Sequence, residues 1–161
     1  MRLLIMGPPG VGKGTQAKII KNELKIAHLS TGEILRKEID MGTKVGLIAK
    51  DYIDKGQLVP DQILLDIINY RIILHDCKDG YLLDGFPRTL GQANGLEKIM
   101  RSLNHSLDMA ISLTADEDEL INRLIKRGLK SGRTDDTPEV IRKRQKIYWV
   151  QTAKILDFYN F

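Results

Sequence analysis

Leu3-Leu4-Ile5-Met6-Gly7-Pro8-Pro9-Gly10-Val11-Gly12-Lys13-Gly14-Thr15 is the stretch that decides how the rest of the chain is read. Four consecutive apolar residues suit a strand buried on both faces, as in a parallel sheet. The glycines and prolines that follow end the strand in a turn. Over 15–24 the spacing predicts a helix with Ala17, Ile20 and Leu24 on one face. Strand, glycine-rich loop and helix together form the context of a phosphate-binding loop. Backbone N–H groups at Gly10, Val11, Gly12 and Gly14 can turn inward on a polyphosphate, and the helix adds its positive end. Lys13 supplies a mobile charge. The strict pattern places Ser or Thr directly after the lysine; here Gly14 intervenes and Thr15 follows. A plain turn would need neither three glycines nor Lys-Gly-Thr at the helix start.

Working outward, short apolar runs alternate with longer helical patterns, which predicts a parallel α/β sheet with helices on both faces. Further strands are expected over 26–29, 81–83 and 109–113. Ser30 with Glu33 forms a capping box before a helix carrying Ile34, Leu35 and Ile39. A helix over 44–55 ends at Gly56, and Pro60-Asp61 opens a long one through Ile63, Leu64, Ile67, Ile68 and Ile72. Thr114 and Glu117 suggest another capping box, before Leu120, Ile121, Leu124 and Ile125. Residues 128–136 read as a polar loop. Pro138 suits the first turn of a last helix reaching about Tyr159. On that helix Arg144 falls on the apolar side with Ile141, Tyr148 and Ile155, and a charge so placed calls for a partner.

The chain has 161 residues, 42% of them hydrophobic and 29% charged, which is globular composition for one domain. No apolar run approaches a membrane span, and the run at 3–6 is too short for a signal-peptide core. A cytoplasmic location with no membrane partner is expected. Cys77 is the single cysteine, which excludes an internal disulfide, and with His28, His75 and His105 far apart no zinc is expected. The net charge of +4, from 25 basic and 21 acidic residues, is too mild and too evenly mixed for nucleic acid. Small anionic molecules are the expected partners. His28, Trp149 and Cys77 read as structural.

Gly12-Lys13-Gly14-Thr15-Gln16 resembles the loop of the nucleoside monophosphate kinases. Other stretches extend the likeness. Ser30-Thr31-Gly32-Glu33-Ile34-Leu35-Arg36 and Gly56-Gln57-Leu58-Val59-Pro60 resemble the start and end of the monophosphate-binding insert. Leu83-Asp84-Gly85-Phe86-Pro87-Arg88-Thr89 matches the most specific signature of the family. Arg123, Arg127, Gly132-Arg133-Thr134-Asp135-Asp136 and Arg144 resemble the lid and its flanks. Within these kinases the chain is most similar to the adenylate kinases with a short lid. The resemblance implies a P-loop core at 1–29, 60–125 and 137–161, an insert at 30–59 and a lid at 126–136. The family continues with a fifth strand and a terminal helix beyond this point, so the fourth strand is expected to be an exposed edge.

The resemblance also implies roles. Gly10, Val11, Gly12, Lys13, Gly14, Thr15 and Arg127 would hold ATP. Thr31, Arg36, Gln57, Leu58, Val59, Gly85, Phe86, Pro87 and Arg88 would hold AMP, with Arg133 and Arg144 on its side. Lys13, Arg88, Arg123, Arg133 and Arg144 would act in catalysis. Asp135 and Asp136 would orient the arginines. Thr15 and Asp84 would lie near Mg²⁺, through water. Gln92 would read the adenine of AMP, although Thr89 and Gln92 also fit a capping box. A monomer making two ADP from ATP and AMP is the expected protein. A UMP/CMP kinase or a non-catalytic nucleotide-binding module are the alternatives.

Phosphoryl transfer suits this residue set on chemical grounds. It needs two polyanions held in line, their repulsion neutralised and water kept out. Arginine stays charged and grips phosphate through a planar fork.

Overall fold

The computed structural model describes residues 1–159. Four parallel strands, β1 (Arg2–Met6), β2 (Ala27–Ser30), β3 (Tyr81–Asp84) and β4 (Met109–Ser112), form one sheet in the order β2-β3-β1-β4. β1 is central, pairing Leu4 with Leu83 on one side and with Ala110 on the other. Its side chains alternate between two cores, as the strand period requires. Leu4 and Met6 join the larger core with Leu29, Ile68, Leu83 and Leu96. Leu3 and Ile5 face the smaller one with Ala17, Ile26 and Leu82. β4 is an edge among the described residues, and Met109 on it is 55% exposed.

Helices α1 (Lys13–Leu24), α2 (Thr31–Asp40), α3 (Lys44–Asp54), α4 (Asp61–Ile72), α5 (Leu90–Ser102), α6 (Glu117–Ser131), α7 (Pro138–Ile147) and α8 (Ile155–Phe158) connect and cover the strands. None is long and apolar enough to cross a membrane. Ser30 caps α2 by accepting from Glu33 N–H, as its position predicts.

The sequence misjudged several ends. Leu24 is exposed rather than on the buried face of α1. Asp116, not Thr114, caps α6, accepting from the N–H groups of Asp118 and Glu119. α6 also runs on to Ser131 instead of breaking at Gly128. A Cβ at Gly128 would meet Asp136 O at 2.8 Å, so this glycine serves close packing of the returning chain. The helix stops at Gly132, whose φ of +63° is the left-handed cap conformation. The last helix is not continuous to Tyr159. A π-helical turn over Tyr148–Thr152 separates α7 from α8, with Ala153 N–H bonded to Tyr148 O at 2.8 Å.

Candidate active site

The C-terminal ends of β1 and β3 open into one cavity of about 960 Å³, the usual place for a ligand in a parallel sheet. Gly10, with φ +90°, lets the first loop turn here, and a Cβ on it would strike Leu120 O at 2.7 Å. Lys13 Nζ lies under the loop and donates to Gly7 O at 2.7 Å and Pro8 O at 3.0 Å. Burial of the ammonium, with the cationic Arg88 beyond it, pulls Lys13 down to about 7. A bound polyanion would supply the counter-charge it lacks.

The second loop, Gly85 to Arg88, leaves β3 and forms the facing wall. Arg88 Nε donates to Gly85 O at 2.7 Å. Its guanidinium is brought down to about 10 by burial and by the like charge of Arg144, yet stays charged at neutral pH. Thr31 ties α2 to this loop, donating to Gly85 O at 2.9 Å. Arg36, also on α2, reaches the cavity, and burial together with Arg133 lowers it.

Two buried carboxylates organise the remaining arginines. Asp136, with a fully buried side chain, accepts from Arg127 Nε and Nη2 at 2.6 and 2.7 Å and from Arg144 Nη1 at 2.8 Å. Asp135 accepts two bonds of 3.0 Å from Arg133 and lies 3.0 Å from Arg144 Nη1. Burial would raise Asp135, but the Arg133 bonds and the charge of Arg144 win and hold it at about 2. These pairs fix the guanidiniums before any ligand arrives. Arg123 is held more loosely, in an exposed pair with Glu119 at 2.8 Å. Thr134, in the turn after α6, donates to Asp54 on α3 at 2.7 Å.

All the residues assigned to ATP, AMP, catalysis or metal line this cavity except Gln92. Eight basic residues line it against three acidic ones, Glu33, Asp84 and Asp135, so the field inside favours anions. Gln92 lies just behind the cavity wall. It is fully buried, its Oε1 accepts from Arg88 N–H at 2.7 Å, and its Nε2 donates to Asp61 at 2.8 Å. Thr89 does cap α5 through Gln92 N–H, but the reciprocal bond goes to Arg88 rather than Thr89. The amide thus ties the second loop to α4, with one partner at each end, and a second lone pair on Oε1 and a second N–H on Nε2 remain.

Asp84 lies beside the first loop, 3.9 Å from where a Cβ on Gly14 would stand, and its Oδ2 is placed to accept from His28 Nε2 at 3.2 Å. Nothing in the sequence marks His28 for this contact; β2–β3 pairing, Ser30 against Asp84, brings it within reach of the carboxylate. Thr152, Tyr148 and Ile147 also line the cavity without having been singled out. No sequence motif marks them; Ile147 ends α7, and Tyr148 and Thr152 bound the π-helical turn. Among the described residues no cluster of three or more His, Cys, Asp or Glu side chains could hold a metal by itself. Thr15 and Asp84 are hard oxygen donors facing the same cavity, which fits a magnesium ion that keeps water and phosphate ligands.

A family model described as adenylate kinase matches residues 5–161. An adenylate kinase of Leptospira biflexa serovar Patoc is 47% identical over 159 residues, covering 99% of this chain and 86% of that protein. One from a Cyanothece strain is 48% identical, covering 99% and 82%. One from a Nocardioides strain is 47% identical over 160 residues, covering 99% and 84%.

Proposed function

Because the chain belongs to the adenylate kinase family, a family of nucleotide phosphotransferases, we propose that it converts ATP and AMP reversibly into two ADP. The bond from the γ-phosphorus to the β,γ-bridging oxygen breaks, and one forms from that phosphorus to an AMP phosphate oxygen. The β-phosphate of the donor leaves with the bridging electron pair. What carries this reading is that two phosphate-binding loops face each other across one cavity, with fixed arginines between them.

In this reading the N–H groups of the first loop hold the donor phosphates. Lys13 leaves its carbonyl partners for the donor's outer phosphates and follows the charge as it moves. Arg88 and Arg36 hold the acceptor phosphate, with Thr31, Gln57, Leu58 and Val59 around its base. Gln92 fixes Arg88 N–H, and the remaining lone pair and N–H of its amide are the groups that would read the adenine of AMP. Arg123, Arg127, Arg133 and Arg144 neutralise the transferring group, which is the main way a protein lowers a phosphoryl-transfer barrier. Magnesium, when bound with ATP near Thr15 and Asp84, would neutralise phosphate charge and help orient the donor. The insert at 30–59 and the lid at 126–136 close over both nucleotides, and the Thr134–Asp54 bond supports this as a direct link between the two segments.

The test is diphosphate formation from Mg·ATP with AMP, UMP, CMP and dAMP in parallel. Marked preference for AMP is expected. Preference for a pyrimidine would overturn the acceptor assignment, and no turnover would overturn the reaction.

Lys13 gives this site a pH signature. Its ammonium sits at about 7 in the free protein, and adjacent phosphates raise it. Nucleotide binding above pH 7 then takes up a proton, and ATP affinity falls as pH rises, by up to about tenfold per unit. Calorimetry at pH 8 in buffers of different ionisation heat measures this uptake, which is expected to vanish in Lys13→Met.

A further inference from the structure

Two side chains near the end of the chain reach the backbone of the two phosphate loops. Gln145 on α7 donates from Nε2 to Pro9 O at 2.9 Å. Thr152, at the end of the π-helical turn, donates from Oγ1 to Arg88 O at 3.0 Å. Both are buried, at 2% and 7% exposure. Pro9 lies in the middle of the first loop, next to Gly10, and Arg88 ends the second.

Gln145 is a costly choice for its place. Its Oε1 is buried and has no partner among the described residues. A leucine would fill a similar volume with no acceptor left unsatisfied. What the amide gains over leucine is the single bond to Pro9 O. Neither residue needs to touch a nucleotide to matter, since each fixes a carbonyl in a loop that does. The π-helical turn stands between the two contacts and sets the angle between them, and such turns are common where a helix serves a site.

We propose that Gln145 and Thr152 are positioning residues, and that the segment from α7 through the π-helical turn is a brace. It pins the donor loop through Pro9 and the acceptor loop through Arg88, and so sets the spacing between the two phosphates. Arg144, adjacent to Gln145, is held by the same segment and fixed by Asp135 and Asp136. The proposal rests on the assignment of the two loops to donor and acceptor made above.

The brace predicts a split that general loosening of the helix would not produce. Gln145→Leu is expected to weaken ATP binding about 5- to 10-fold, the factor carried by one neutral hydrogen bond, and to leave AMP binding unchanged. Its melting temperature should stay level or rise, because the unsatisfied acceptor is gone. Thr152→Val is expected to do the reverse, weakening AMP binding alone. Thr152→Ser keeps the hydroxyl and should keep wild-type affinity for both. Calorimetric titration of each protein with ATP and with AMP, beside thermal melts, reads all of this. If either variant shifts both affinities alike, or if neither variant shifts its own nucleotide, the brace is wrong. Turnover of the wild type is recorded with the same nucleotides. A wild type that binds both but forms no ADP sinks the reaction while the titrations still decide the brace, and one that binds neither overturns both.

Discussion

Lys13→Met is expected to cut phosphoryl transfer about 10²- to 10³-fold, the cost of removing one preorganised group aimed at developing charge. Most of the loss should fall on kcat. Backbone N–H groups still hold the donor phosphates, so binding survives better than chemistry. Folding should not suffer. Lys13 lies at about 7 in the folded chain against an ordinary value of 10.5, so its charged form is disfavoured by folding. The native lysine thus subtracts stability, fully below pH 7, and the penalty fades as pH rises toward 10.5. Met at this position removes that penalty, and the variant should melt at the same or a higher temperature near neutral pH. The carbonyls of Gly7 and Pro8 lose a donor, which offsets part of the gain. Single-turnover kinetics and thermal melts check the two halves. A variant that is unfolded, or that keeps wild-type kcat, contradicts the role given to Lys13.

Asp136→Asn should be among the most destabilising single changes in the chain, by about 3 kcal/mol or more, as expected for breaking a buried ion pair from one side. The carboxylate is fully buried and takes two bonds from Arg127 and one from Arg144, with Arg133 Nε at 3.7 Å. An amide of the same shape keeps the volume but loses the charge and half of the accepting capacity. Three guanidiniums would then share Asp135 alone. Arg127, with its side chain 37% exposed, can turn toward solvent and keeps the cost from growing larger. Removing the stranded charge as well, in Asp136→Asn with Arg127→Met, is expected to recover part of the loss. A polyphosphate ligand should restore more stability to Asp136→Asn than to the native chain, since it supplies negative charge where a carboxylate was lost. Urea unfolding with and without ATP measures both. Equal stability of Asp136→Asn and native protein would mean that the arginines do not depend on this carboxylate.

Much of the fold was legible because local signals and burial agree. The apolar run at 3–6 is the centre of the sheet, and the glycine loop after it turns where the motif predicts. The cavity gathers residues from the first loop, from 30–36 and 56–59, from the second loop and from Arg123 to Arg144, all marked by short motifs. What escaped depends on contacts between distant segments. Gly128 reads as a helix breaker, yet its lack of a side chain is used to let Asp136 pack against α6. The π-helical turn carries no proline or glycine, and it brings Thr152 to Arg88 O across 64 positions. Gln92 reads in the sequence as a cap or a base-reading amide, and only the folded neighbourhood shows that it also bonds Asp61 and Arg88 N–H. His28 meets Asp84 because two strands pair in a particular register. α5 was flagged in the sequence only by its cap at Thr89, since Gly91 and Gly95 dilute its apolar pattern.

The central claim is that the phosphoryl group passes directly from one nucleotide to another inside one closed cavity. ATP carrying a radioactive γ-phosphate, mixed with unlabelled AMP, magnesium and the protein, tests this most directly. Early label in the β-position of ADP, with little free phosphate and slow ATP loss when AMP is omitted, is the predicted result. Label released mainly as inorganic phosphate at a rate indifferent to AMP would contradict it.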